Sequence, residues 1–164
     1  MRCSRIYTRC LFAVIILGLV GCSGKSNPVA GASPKLLAAI ERGYCYGDCQ
    51  IFSLKIYFDG AAAFWGEQNT QVLGEKVFAL TDDQVSQVRS EFLRKGFLFV
   101  NNDCCKCGDT TGEPSTLITY QGNGPFKQVK YYRGCGNWTT ENLAGLETSI
   151  LKLTGARAWI EEGD

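Results

Sequence analysis

Nine cysteines and no histidine in 164 residues set the chemistry this chain has at its disposal. A thiol serves in three ways: paired in a disulfide, as a thiolate ligand to a soft metal ion, or as half of a dithiol redox couple. Lack of histidine removes the Ser-His-Asp and Cys-His mechanisms together with the commonest general base. The acids offer little in its place. Asp82 and Asp83 are adjacent where a helix should begin, and so read as partners of the helix dipole. Asp48, Asp103, Asp109 and Glu113 lie on cysteine-bearing loops without the spacing of an acid–base pair. No catalytic residue and no cofactor is expected, and the balance leans away from an enzyme.

The first cysteines belong to a targeting segment. Arg2, Arg5 and Arg9 form a positive n-region before the apolar run from Leu11 to Val20. That run is about half the roughly 20 residues a permanent membrane span needs, and it suits a secretory signal. It ends in Leu19-Val20-Gly21-Cys22, which resembles the lipobox of bacterial lipoproteins. The resemblance implies a signal peptide over 1–21, cleavage before Cys22, and palmitate-type acylation of its sulfur. Two or three acyl chains suffice for stable anchoring where one does not. Ser23 in place of Asp points, in enteric-type sorting, to the outer membrane facing the periplasm rather than the inner membrane or cell surface. Residues 22–34, rich in Gly, Ser and Pro, read as a flexible tether, and 35–164 as one domain. Acids and bases nearly cancel, 16 against 17, which argues against a nucleic-acid partner. The expected partners are a membrane through the lipid, and a protein or cell-envelope glycan.

Six cysteines then remain: Cys45, Cys49, Cys104, Cys105, Cys107 and Cys135. In an oxidising compartment an even number favours disulfides, and six thiols allow 15 pairings. Cys45 and Cys49 bracket a glycine-containing loop and are plausible partners. A hairpin turning at Asn123-Gly124 brings Cys135 near residue 112, so one of Cys104, Cys105 and Cys107 is its expected partner. The alternative is a thiol-based metal or redox protein, with Cys104, Cys105, Cys107 and Cys135 as a four-thiolate site. Against it, zinc pairs are usually two to four residues apart, and the four-residue step from Cys45 to Cys49 is not the Cys-x-x-Cys of oxidoreductases.

The elements that must position these residues follow from periodicity. Phe52, Leu54, Ile56 and Phe58 alternate with Ser53, Lys55 and Tyr57, the period of a half-buried strand. Asp59-Gly60 supplies a tight turn, and Ala61 to Trp65 return as a second strand. Gly74 to Leu80 suits a third. Thr81-Asp-Asp-Gln84 has capping-box spacing, Val85, Val88 and Phe92 follow at helical intervals, and Gly96 stops the helix. Ser115–Gln121 and Pro125–Arg133 form a second hairpin. A second helix opens at Trp138-Thr139, with Trp138 placed to staple onto Leu143, and its stripe is Leu143, Leu146, Ile150 and Leu153. Lys35 to Arg42 fits a short helix or an extended lead-in equally. The expected fold is α+β, an antiparallel sheet of about four to five strands in two hairpins with two helices on one face.

Cys45-Tyr-Gly47-Asp-Cys49-Gln-Ile-Phe52, followed by Asp59-Gly60 and Gly66, resembles the opening motif of a bacterial family catalogued as domain of unknown function 6438. The resemblance extends over roughly Leu36 to Ile160 and implies no activity, cofactor or catalytic residue. A binding surface is therefore sought in the aromatics. Tyr57, Trp65 and Tyr131 are candidates for a face of the sheet turned away from the helices, chemistry that suits a sugar, a peptide or a protein partner.

Overall fold

The computed structural model describes residues 34–102, 104–105 and 112–161, and Cys22, the expected signal segment over 1–21 and Cys107 lie outside them. Six strands form one antiparallel sheet: β1 (Leu36–Arg42), β2 (Ile51–Tyr57), β3 (Ala61–Gln68), β4 (Gly74–Ala79), β5 (Ser115–Tyr120) and β6 (Lys127–Tyr132). Their spatial order is β4-β3-β2-β1-β5-β6. Helices α1 (Asp82–Arg94) and α2 (Trp138–Thr154) complete the α+β domain.

The sheet has six strands rather than four to five because Lys35–Arg42 is neither helix nor lead-in. It is β1, paired on both sides, with β2 and β5. Its alternation is hidden because Leu37, Ala38, Ala39 and Ile40 are all buried. A register shift between Leu36 and Ala38 marks a bulge that sets Leu37 beside Ala38 in the core. With Leu37 in the bulge and the small Ala39 buried between its neighbours, the strand reads as a continuous apolar run, which a helix segment also does.

One face carries the core. Cross-strand register aligns Phe64, Leu54, Ile40, Ile118 and Val129 across β3, β2, β1, β5 and β6. Val85, Val88 and Phe92 of α1 and Leu143, Leu146 and Ile150 of α2 pack into the same cluster. The helices run antiparallel, tied by Gln84 Nε2 to the Leu153 carbonyl at 2.9 Å and Asn142 Nδ2 to the Lys95 carbonyl at 2.9 Å. Thr81 and Gln84 close a reciprocal capping box at the start of α1. At α2 the cap is Asn137, whose side chain accepts from the Thr140 amide. Trp138 therefore lies one residue inside the helix and 76% exposed, so it does not staple onto Leu143. The aromatic contact at this end of the chain comes instead from Trp159, whose ring meets Phe64 and Phe78 edge-on at 5.5 and 4.8 Å.

Gly66 shows why a strand interior keeps a residue of poor strand propensity. A Cβ there would stand 1.9 Å from the Val72 carbonyl oxygen, and that segment is held by the Val72 amide bonding to the Trp159 carbonyl at 3.0 Å. Propensity alone favours alanine over glycine in a strand. Here the collision decides, and Gly66→Ala is expected to lower stability by about 1–3 kcal/mol, as overpacking does. Urea unfolding followed by circular dichroism checks the sign.

Candidate functional site

Among the described residues nothing covers the face of the sheet opposite the helices, and one end of it forms a groove. Glu41, Ser53, Trp65, Leu117 and Lys130 lie in one cross-strand row, since Glu41 pairs with Ser53 and Leu117, Ser53 with Trp65, and Leu117 with Lys130. Small residues, Gly43, Ser53 and Ser115, form the floor between taller walls. The result is a groove of about 580 Å³ lined also by Tyr44 and Glu67. Trp65 is 50% exposed and Tyr44 69% exposed, so two aromatic faces border the same opening.

Local backbone features build the rim. Ile51 pairs with Gln68 while Phe52 pairs with Gly66, so Glu67 is the extra residue of a bulge in β3. Bulges re-aim side chains. This one brings the Glu67 carboxylate to the Tyr44 hydroxyl, which donates to it. That hydrogen bond, with the carboxylate charge, raises the Tyr44 pKa above its ordinary value. Above the rim, Cys45 and Cys49 close a disulfide with Cα atoms 6.1 Å apart. The loop is tied down by Asn69 Nδ2 to the Cys49 carbonyl at 3.1 Å and by the Tyr46 amide to the Gly112 carbonyl at 3.1 Å.

Of the three aromatics expected on one binding face, the structure places only Trp65 in the groove. Tyr57 is on the same face but pairs with Leu36 at the far end, four residues along β2 from Ser53, or roughly 13 Å. Tyr131 is a correction. It pairs with Thr116 on the helix-facing side and is fully buried. Strand parity explains the error, because Tyr131 shares the parity of Val129, and its neighbour Tyr132 faces the other way. The same parity rule would have found Glu41, Ser53 and Lys130.

Tyr131 belongs to a buried polar knot. Glu147 of α2, with no exposed surface, accepts from Arg42 Nη2 at 2.5 Å and Nε at 3.0 Å, from Arg133 Nη2 at 3.1 Å, and from the Tyr131 hydroxyl. Burial alone would lift the Glu147 carboxyl, but the Arg42 and Arg133 guanidiniums and the Tyr131 hydroxyl outweigh it and hold it below the usual range. Burial, then the Glu147 charge, pushes the Tyr131 phenol well up. Arg42 also stacks over Phe52, 4.7 Å from the ring centroid. Because Arg42 and Glu41 are neighbours in β1, this knot on one face sets the position of a groove residue on the other.

Cys104, Cys105 and Cys135 lie together in the loops after α1 and after β6. Cys104 and Cys105 are joined to each other, and the Cys135 sulfur approaches the Cys105 carbonyl at 3.5 Å. Cys135 is itself disulfide-bonded. In this oxidised form neither Cys104, Cys105 nor Cys135 offers a thiolate to a metal ion. Among the described residues no group of three His, Cys, Asp or Glu is placed to hold one. Nor, among them, is any helix long and apolar enough to cross a membrane.

A family model described as Domain of unknown function (DUF6438) matches residues 37–154, from the second residue of β1 to the end of α2. The chain belongs to this family. No curated protein matches it. The match spans all six strands and both helices, so the DUF6438 domain includes both the groove and the Glu147 knot.

The knot carries a sign-definite pH dependence. Glu147 has a folded pKa depressed below its unfolded value of about 4.3, so its contribution is complete above that value. It is lost as pH falls through the folded pKa. Glu147→Gln leaves Arg42 buried without its counter-charge and is expected to cost about 3–5 kcal/mol at pH 7. The loss should shrink as pH falls through the folded pKa, below which the wild-type carboxylate is itself protonated. Urea midpoints at pH 7, 5 and 3 test this, and parallel wild-type and variant curves would assign the acid sensitivity elsewhere.

Proposed function

We propose that this chain is an exported lipoprotein, anchored through Cys22, whose DUF6438 domain is a disulfide-stabilised binding module rather than an enzyme. The observation that carries the binding reading is the groove bordered by Trp65 and Tyr44. Its position selects among ligand classes. The groove overlies β1 and β2, interior strands whose backbone groups are paired on both sides. An extended peptide adding to the sheet would need an edge, β4 or β6. A ligand in the groove must be held by side chains instead.

Those side chains suit a sugar ring. An exposed indole stacks on the C–H face of a pyranose, while Glu41, Ser53, Glu67 and Lys130 offer acceptors and donors for hydroxyl and acetamido groups. Neither Glu41 nor Lys130 is in an ion pair among the described residues, so their hydrogen-bonding capacity is available. A cell-envelope glycan is the matching partner for a protein held at a membrane surface by acyl chains.

Two measurements test the two halves of this reading. Tri-N-acetylchitotriose should quench or shift tryptophan emission of the full chain, and Trp65→Ala should weaken binding by at least about tenfold, or about 1.4 kcal/mol. Saturation unchanged by Trp65→Ala would remove the groove from the account. For the anchor, the full chain expressed in a bacterium should incorporate labelled palmitate and partition with membranes, and Cys22→Ser should abolish both. A Cys22→Ser chain that still takes up label would disprove lipidation at that residue.

A further inference from the structure

The far end of the domain, on the helix side of the sheet, holds a second and smaller cavity of about 250 Å³. It is lined by Arg89 and Leu93 of α1, Leu98 of the short turn after that helix, Tyr120 at the end of β5, and Gln121, Asn123 and Gly124 of the β5–β6 turn. Arg89 is the one charged residue among these. Its guanidinium rests over the Phe58 ring, 5.0 Å from the centroid, and its Nε is buried without a hydrogen-bond partner. Among the described residues it has no carboxylate partner either. A buried guanidinium nitrogen without an acceptor costs free energy that a bound anion would recover.

Tyr120 supplies the second polar group. Its ring is fixed by stacking on Phe92 at 4.2 Å, and its hydroxyl makes no hydrogen bond among the described residues. Gly122, at φ +46°, lies directly against the hydroxyl end: a Cβ there would stand 2.7–2.9 Å from Cε1, Cζ and the oxygen. The turn thus holds the phenol in place without covering it with a side chain. Leu93, 63% exposed, and Leu98 add apolar walls beside these donors.

We propose that this cavity binds a small carboxylate bearing a short apolar substituent, such as an N-acylated amino acid or the C-terminal residue of a peptide. The carboxylate takes the Arg89 fork and the Tyr120 hydroxyl, the planar bidentate geometry that arginine offers and lysine does not. The substituent lies on Leu93 and Leu98, and the amides of Gln121 and Asn123 meet the acyl group. The apolar walls favour this class over a bare inorganic anion, which would leave both leucines uncovered.

The test uses the full chain, with N-acetyl-alanine as ligand probe and N-acetyl-alaninamide and inorganic phosphate as comparisons. Binding is read by calorimetry and by amide resonance shifts at Asn123 and Gly124. N-acetyl-alanine is expected to shift both resonances at a single site, while the amide gives no shift and phosphate binds at least about tenfold more weakly. Arg89→Lys keeps the charge but loses the fork, and should weaken the carboxylate by about tenfold or more. Tyr120→Phe removes a hydroxyl with no internal bond, so the fold is retained and a severalfold loss is expected. Absence of shifts, equal binding of the amide, or phosphate binding as tightly as the carboxylate would each overturn the proposal. So would wild-type affinity in both variants.

Discussion

The Glu147 carboxylate is the interaction on which the arrangement of this domain depends. It is a full charge without exposed surface, on the helix that follows all six strands in the chain, and its partners come from β1 and from the end of β6. Two guanidiniums and a phenol satisfy it. A buried ion pair adds little net stability compared with a well-packed apolar substitute, but breaking one is expensive. Its effect is therefore on specificity: α2 has one rotation and one axial position in which Glu147 meets Arg42, Arg133 and Tyr131 together. Apolar contacts with Leu143, Leu146 and Ile150 would tolerate small slips that the knot does not.

That registration passes through the sheet. β1 is the strand that both hairpins share, so fixing Arg42 on its helix side fixes Glu41 on its open side. The cross-strand row then carries the constraint outward to Ser53 and Trp65 in one direction and to Leu117 and Lys130 in the other. The bulge at Glu67 and the Cys45–Cys49 loop complete the rim. The groove is thus assembled from strands that would be rigid without any ligand. A preorganised concave site loses less conformational entropy on binding than a loop-built one.

Much of the fold was legible in the chain because its local signals agree with its tertiary packing. The Asp59-Gly60 turn, the Thr81–Gln84 capping box and the stripe Val85, Val88 and Phe92 each specify their element without help from elsewhere. The failures were of a different kind. β1 carries a bulge at Leu37 and a small, buried Ala39 on its open face, and its alternation is hidden. Trp138 looked like a staple from its spacing to Leu143, and only the Asn137 cap shows it to be two positions too late. Glu147 occupies the interior face of α2, four residues after Leu143, but a glutamate at that spacing gives no sign of two arginines 105 and 14 residues away. The groove was half legible. Trp65 and Tyr131 were both named for their aromatic character, and strand register puts Trp65 in the groove but Tyr131 in the core.

The two cavities show how one sheet separates two kinds of polar group. On the core side, wherever a charge is enclosed among helices and strands, the chain supplies an internal partner, as with Glu147. Arg89 departs from that pattern, since it has an aromatic ring beneath it and no acid beside it. On the open side, Glu41 and Lys130 stay apart although Leu117 alone stands between them in the row. Solvent makes an exposed pair worth little, so their separation costs little stability. A charge without an ion-pair partner among the described residues, next to an exposed indole or a buried phenol, keeps that electrostatic interaction for a second molecule. The contrast between the satisfied knot and these groups is the physical basis for proposing ligand contacts at the Trp65 groove and the Arg89 cavity rather than at Cys45, Cys49, Cys104, Cys105 and Cys135, whose bonding capacity is spent within the chain.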